Sequence, residues 1–406
     1  MSLLITNIAE LRTIDAEDTV LRDAALVVEG ERIAWVGAAA DAPAADDIVD
    51  AGGRTVLPGW VDSHSHMVFA GDRSAEFEAR MAGEKYAAGG IRVTTEATRA
   101  VGDYDLTRLL LGRRAEAAAG GTTTMETKTG YGLTVDEEAR HARLASTIAD
   151  TVTYLGAHVV PAGWDADEYT RLVTGPMLDA VTPYVEWIDV FCETGAFNRE
   201  QSLAVLEAGK AAGLGLRVHG NQLGEGPGVR LAVELGAASV DHVNHLSAQD
   251  FAALADSWSG YSVSDASNPT SPAASVRGTV ATVLPACDLS TREPLAPARE
   301  LLDAGVVVAI ASNCNPGTSF TSSVNYCVTT AVLQMRLTVA EALRAATHSG
   351  AIALGLERET GSIEVGKFAD LHVLNAPSAV HLAYRPGMPL TYQTWKRGQV
   401  VHGPRA

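Results

Sequence analysis

Cysteine is scarce in this chain and carries no pattern. There are four in 406 residues, Cys192, Cys287, Cys314 and Cys327, far apart and with no CxxC. A disulfide framework belongs to small, cysteine-dense secreted chains, so none is expected. The 38 glycines follow no triplet rule and prolines number only 16, which excludes a collagen-like chain. No run approaches the ~20 uninterrupted apolar residues of a transmembrane helix. The opening MSLLITNIAELRTIDAED has a short apolar run but no basic segment before it, so no signal peptide is expected. Positive charge is in deficit: 31 Lys and Arg face 49 Asp and Glu, for a net charge of −18. Nucleic-acid phosphates call for the opposite surplus. These absences make a reducing cytoplasm the simplest home and leave neither nucleic acid nor membrane as a partner. What is present is ample core material, with 47% apolar and 20% charged residues. That is the composition of a globular protein rather than a disordered one.

The two ends of the chain read alike. Residues 1–56 alternate apolar and polar positions around glycine turns (LLITNI, ALVVEGERIAWVGAA, DIVDAGGRTVLPG), and VVEG-ERIAWVG has the look of a hairpin. Residues 361–406 repeat the rhythm in GSIEVGKFADLHVLN and TYQTWKRGQVVHG. The two ends are expected to form one small β-sandwich domain. Between them, over 57–360, strand-like and helix-like segments alternate. The strand candidates are VDSHSH (61–66), TTTMETK (122–128), TVTYLGAH (151–158), WIDVFCE (187–193), GLRVHGN (215–221), ASVDHVNH (238–245), TVATVLP (279–285) and VVVAIASN (306–313). Helical patterns over 106–120, 135–150, 199–213, 228–236 and 295–305 separate them, several closed by glycine. Eight such units predict a (β/α)₈ barrel of the α/β class. The Ser-, Gly- and Pro-rich stretch 256–278 breaks the rhythm and reads as a long loop, an exposed insertion more readily than a lid.

His64, His66, His158, His219 and His242 all fall at or near the C-terminal ends of these strands. In a barrel those ends share one mouth, where such folds keep their chemistry. A single histidine there is more simply a hydrogen-bonded structural residue; five at one position of the repeat are not. In HSH, residues i and i+2 of a strand point to the same face, so two imidazoles are placed to grip one metal.

The context of that pair, LPGWVDSHSHMVF, resembles the first-strand metal motif of the amidohydrolase superfamily, and GSIEVGKFADLHVLN resembles its C-terminal strand signature. Along almost the whole chain the strings FAGDR (69–73), GGTTTMETKTGYGL (120–133), YLGAH (154–158), DVFCETGAF (189–197), RVHGNQ (217–222), SVDH (239–242) and NPGTS (315–319) look like the imidazolonepropionase family. The resemblance implies hydrolysis of the cyclic amide 4-imidazolone-5-propanoate to N-formimidoyl-L-glutamate, a step of histidine degradation. It implies one divalent metal, zinc or iron, on His64, His66, His219 and the residue at position 313. It implies that Arg73 holds the carboxylate tail, although a lone arginine otherwise makes a surface salt bridge. Tyr86 and Tyr131 would offer hydroxyls to the substrate, with a packing role as the plainer reading of Tyr86. His158 and Gln222 would hydrogen-bond the ring, His242 would orient water or move a proton, and Asn315, Gly317 and Thr318 would contact the substrate. The Ala-rich outer helix faces leave a homodimer open.

Two positions depart from the family pattern. Gln222 stands where some members have glutamate; it hydrogen-bonds but moves no proton. Asn313 stands where the metal-binding aspartate is expected, and an amide is no general base near neutral pH. General-base help is worth typically about 10²–10⁴-fold. Three accounts stand side by side: a variant in which His242 takes the proton, an inert form of an active parent, or a ligand-binding member without turnover. A related deaminase acting on another heterocycle is a further alternative. An Asn313→Asp variant and metal analysis separate them.

Overall fold

The structure, a computed structural model, describes residues 1–83, 90–259 and 278–404. Strands from both ends build one mixed seven-stranded sheet. They are β1 (Ser2–Arg12), β2 (Val20–Glu29), β3 (Arg32–Ala38), β4 (Asp47–Pro58), β13 (Leu371–Leu374), β14 (Thr391–Lys396) and β15 (Gln399–His402), in the order β15-β14-β13-β4-β1-β2-β3. The hairpin read from VVEG-ERIAWVG is β2–β3, turning at Gly30 with φ 59°. The strands are hydrogen-bonded as one sheet rather than as two facing sheets. The sheet curls until the β2–β3 hairpin meets the segment leading into β13: Ile33 N–H donates to Lys367 O at 2.9 Å, and Ala369 N–H to Glu31 O at 2.8 Å. Ile5, Ile8, Leu26, Ile33, Leu371 and Trp395 fill the space inside it.

The remaining eight strands are parallel and sequential: β5 (Trp60–Asp62), β6 (Thr122–Lys128), β7 (Thr151–Ala157), β8 (Trp187–Cys192), β9 (Gly215–Gly220), β10 (Ser239–His242), β11 (Val280–Val283) and β12 (Val308–Ile310). All eight lie inside or within a residue of the predicted segments. Every residue of β6, β7, β9, β10 and β11 is buried, as befits strands covered by side chains inside and helices outside. The helices begin where short polar side chains satisfy free N–H groups. Asn198, Ser247 and Thr338 each close a capping box with Gln201, Asp250 and Glu341. The helix Gly228–Leu235 stops at Gly236, which takes the left-handed conformation at φ 71°.

β5 and β12 are shorter than read. β5 ends at Asp62, so His64 and His66 lie just beyond the strand rather than on it. The barrel closes there, through a bridge between Ser65 and Cys314. His66 N–H donates to Cys314 O at 3.0 Å and Asn313 N–H to His64 O at 2.9 Å. All four cysteines are buried free thiols. No helix among the described residues is long and apolar enough to cross a membrane. Of the 256–278 stretch, residues 260–277 lie outside the described residues.

Candidate metal centre and substrate cavity

Three imidazoles meet at the barrel seam. His66 Nε2 lies 3.2 Å from His64 Nε2 and 3.4 Å from His219 Nε2. Their other ring nitrogens explain why. His64 Nδ1 is 2.7 Å from Asp241 Oδ2, and His219 Nδ1 is 3.0 Å from Asp189 Oδ2. Each carboxylate holds the proton on Nδ1, which leaves Nε2 with a bare lone pair. Converging lone pairs repel unless a cation lies between them. Burial, then the positive charge of neighbouring groups, pushes the His64 and His66 pKa values well below the ordinary range, so both rings stay neutral as ligands must. Asn313 closes the group. It is 2% exposed, sits at φ 50°, and its Oδ1 has no hydrogen-bond partner among the described residues. An orphaned buried amide oxygen is costly, and a cation would satisfy it. The donor set fits one divalent metal held by three nitrogens and a neutral oxygen.

Beneath the imidazoles lies a buried ionic cluster. Lys128 Nζ is 2.9 Å from Glu126, 3.0 Å from Asp189 and 4.0 Å from Asp241, all fully buried. Arg217 reaches Asp241 at 3.5 Å and donates to the carbonyls of Ser63 and Ala353. Burial works to raise the Asp189 and Asp241 carboxyls, but His219 and Lys128 at the first, and Arg217 and Lys128 at the second, hold both below the usual range. The sequence reading missed all five members. The signal was there: charges at alternate positions of otherwise apolar buried strands (Glu126 and Lys128, Asp189, Arg217, Asp241) are rare without a partner.

Above the imidazoles opens a cavity of about 410 Å³. Of the predicted site residues, His66, Arg73, Tyr131, His158, His219, Gln222, His242, Asn313, Asn315 and Thr318 line it. His158 Nδ1 is 3.0 Å from Gly130 O, so it donates there and turns Nε2 to other use as an acceptor. Burial takes the His158 pKa down to about 3. Tyr131 is 3% exposed and its ring lies near those of His66 and His158. His242 takes φ 83° and leaves Nδ1 without a hydrogen-bond partner among the described residues. The Gln222 backbone is tied to Glu193, a residue the sequence reading also passed over. Tyr86 lies outside the described residues.

Three predicted contacts are placed differently. Arg73 is buried, and one edge of its guanidinium already grips Glu76, Nε at 2.8 Å and Nη2 at 2.7 Å. Glu76 also takes Arg80, which in turn donates to Gly317 O. Gly317 is absent from the cavity lining. A Cβ there would stand 2.2 Å from Arg73 Nη1, so the glycine makes room for the guanidinium rather than for substrate. Asn315 lines the cavity, but its amide is spent on its own loop. Oδ1 accepts from the N–H groups of Gly317 and Thr318, and Nδ2 donates to Asn313 O.

Buried neutral histidines make a pH prediction. Burial lowers His141 and His372 to about 3 and His348 to about 4, alongside His158. Between those values and the ordinary 6.5 the unfolded chain takes up protons that the folded chain refuses, so stability falls as pH falls. Six buried carboxyls act in the opposite sense, Asp62 and Asp288 raised to about 7 and Glu138, Glu193, Glu357 and Asp370 also raised, but seven histidines are lowered once His64, His66 and His242 are counted. Each uncompensated proton is worth roughly 1.4 kcal/mol per pH unit. The metal-free chain should have a lower urea midpoint at pH 5 than at pH 7; an equal or higher one refutes the balance.

A family model described as "Amidohydrolase family" matches residues 191–402. Among curated proteins, the chain is 70% identical to an imidazolonepropionase of Arthrobacter sp. (strain FB24), over 98% of this chain and 99% of that one. It is 60% identical to an imidazolonepropionase of Saccharopolyspora erythraea, over 99% of both. Among solved structures it resembles a triazine hydrolase from Arthobacter aurescens, with TM-score 0.73 and 18% identity over 98% of this chain and 94% of that one. It also resembles a zinc-bound adenosine deaminase from Xanthomonas campestris, with TM-score 0.71 and 21% identity over 98% and 92%. At such identities these two speak for the fold alone. The near-full-length match to the curated relatives goes further, and this chain belongs to the imidazolonepropionase family of the amidohydrolases.

Proposed function

We propose that this chain hydrolyses 4-imidazolone-5-propanoate to N-formimidoyl-L-glutamate in the breakdown of histidine, using one divalent metal, zinc or iron, held by His64, His66, His219 and Asn313. The observation that carries the reading is three converging imidazole Nε2 atoms, two of them on rings that line one cavity with a buried arginine. A bound divalent cation lowers the pKa of a water and polarises an amide carbonyl. The chain's own residues supply the rest. Arg73 meets the propionate with the guanidinium edge that Glu76 does not use, and Glu76 with Arg80 fixes that guanidinium in place. His158, with Nδ1–H committed to Gly130 O, accepts a ring N–H through Nε2. Gln222 and Tyr131 add polar contacts from opposite walls. Water adds to the ring carbonyl, the C–N bond breaks, and the proton taken from water passes to the departing nitrogen. Neither Asn313 nor Gln222 can carry that proton. His242, kept neutral by burial, is the group left to do so.

Turnover of imidazolone propionate, followed as loss of its ultraviolet absorbance, tests the reaction. His242→Ala should lower the rate by about 10²–10⁴-fold with metal content unchanged. No turnover by the metal-loaded chain, or ammonia release from a purine or pterin in its place, refutes the reading.

A further inference from the structure

A second group of metal-ligating atoms is gathered beside the three imidazoles. One ring nitrogen of His242, Sγ of Cys287 and one carboxylate oxygen of Asp288 lie within 4.8 Å of one another, all buried. They come from two elements. His242 ends β10, while Cys287 and Asp288 are consecutive on the helix Pro285–Thr291 that follows β11. His242 is held in the left-handed region at φ 83°, which a non-glycine side chain adopts only when its surroundings impose it. Its Nδ1 is buried without a hydrogen-bond partner among the described residues. The thiol touches the side chains of Thr318 and Asn313, with Gln222 Nε2 at 3.9 Å from Sγ, and Asp288 Oδ2 accepts from Ala296 N–H at 3.2 Å. The proposed reaction gives Cys287 and Asp288 no part.

We propose that His242, Cys287 and Asp288 form a second cation site, suited to a thiophilic divalent ion such as zinc, and that filling it inhibits the enzyme by withdrawing His242 from proton transfer. One nitrogen, one sulfur and one oxygen are a zinc-type donor set; calcium and magnesium take oxygen throughout. With zinc–ligand bonds of about 2.0–2.3 Å, the donors must close by roughly an ångström. That is within reach of one cysteine rotamer and a small shift of the short helix. Only a thiolate ligates, so binding releases the Cys287 proton to solvent. The imidazole nitrogens already stand 3.2 and 3.4 Å apart, whereas these donors must move together, so this site fills second, at higher zinc. The binding stands apart from the proposed reaction; the inhibition rests on it.

The test starts from protein carrying one metal per chain and adds zinc, following binding by equilibrium dialysis and turnover in parallel. A second equivalent should bind and activity should fall as it does. Cys287→Ser should keep the first equivalent and its turnover and lose both the second equivalent and the inhibition. Cobalt in place of zinc should give a near-ultraviolet sulfur-to-cobalt band with the second equivalent in the unaltered chain, a readout independent of any variant. Saturation at one equivalent, a second equivalent without that band, or a Cys287→Ser chain that still binds it overturns the site. A second equivalent bound with turnover unchanged overturns the inhibition and, with it, the role given to His242.

Discussion

His219→Ala should abolish turnover, by a factor of at least about 10⁴, and should empty the metal centre while the barrel stays folded. His219 is the hub of the imidazole group. Its Nε2 faces His66, its Nδ1 faces Asp189, and its backbone N–H donates to the same carboxylate at 3.1 Å. Alanine keeps the backbone bond and the strand register with Phe191 and Asp241, so β9 has no reason to unravel. What disappears is one of three nitrogen donors, and a group closed by a neutral amide has no anionic ligand to compensate. Metal content, a thermal melt and turnover, measured on one preparation, check this. A His219→Ala chain that keeps its metal and its rate would show that the imidazoles are structural.

Lys128→Met should cost about 3–5 kcal/mol of stability, because it breaks a buried ionic group by removing one partner. Lys128 and Arg217 share three buried carboxylates, Glu126, Asp189 and Asp241. With the lysine gone, one guanidinium faces three negative groups in a space without water. The chain then protonates carboxyls or loosens the barrel. Either response takes Asp189 and Asp241 away from the imidazoles they orient, so metal affinity should also fall, by about 10–100-fold. Urea unfolding gives the first figure and competition with a chelator the second. The stability deficit should shrink as pH falls, because protonated carboxyls no longer repel. A deficit below about 1 kcal/mol, or one insensitive to pH, would mean that the cluster does not depend on its lysine.

The barrel strands were legible because parallel strands buried on both faces read as unbroken apolar and β-branched runs. TTTMETK is β6 to the residue. Helices such as Ser74–Met81 and Ile91–Ala100 were not, because their apolar stripes are weak and Thr94, Thr95 and Thr98 take the buried face of the second. The imidazole group was legible from five histidines recurring at one place in the repeat. The carboxylates behind it were hidden, since which strand stands beside which settles their partners: Asp241 meets His64 across 177 residues of sequence. Gly317 was misread for the same reason. Its neighbour, Arg73, belongs to a different loop.

The seam of the barrel has a consequence for how the protein matures. The bonds that close the ring join Asn313 to His64 and Cys314 to His66, the very segments that carry three of the four proposed metal donors. A ribosome-bound chain short of residue 313 can hold all three histidines but neither the bonds that close the seam nor the last proposed ligand. With that ligand set, metal would be offered a complete coordination shell only by a polypeptide synthesised through its eighth strand, and metallation would be a late event that reports on correct closure.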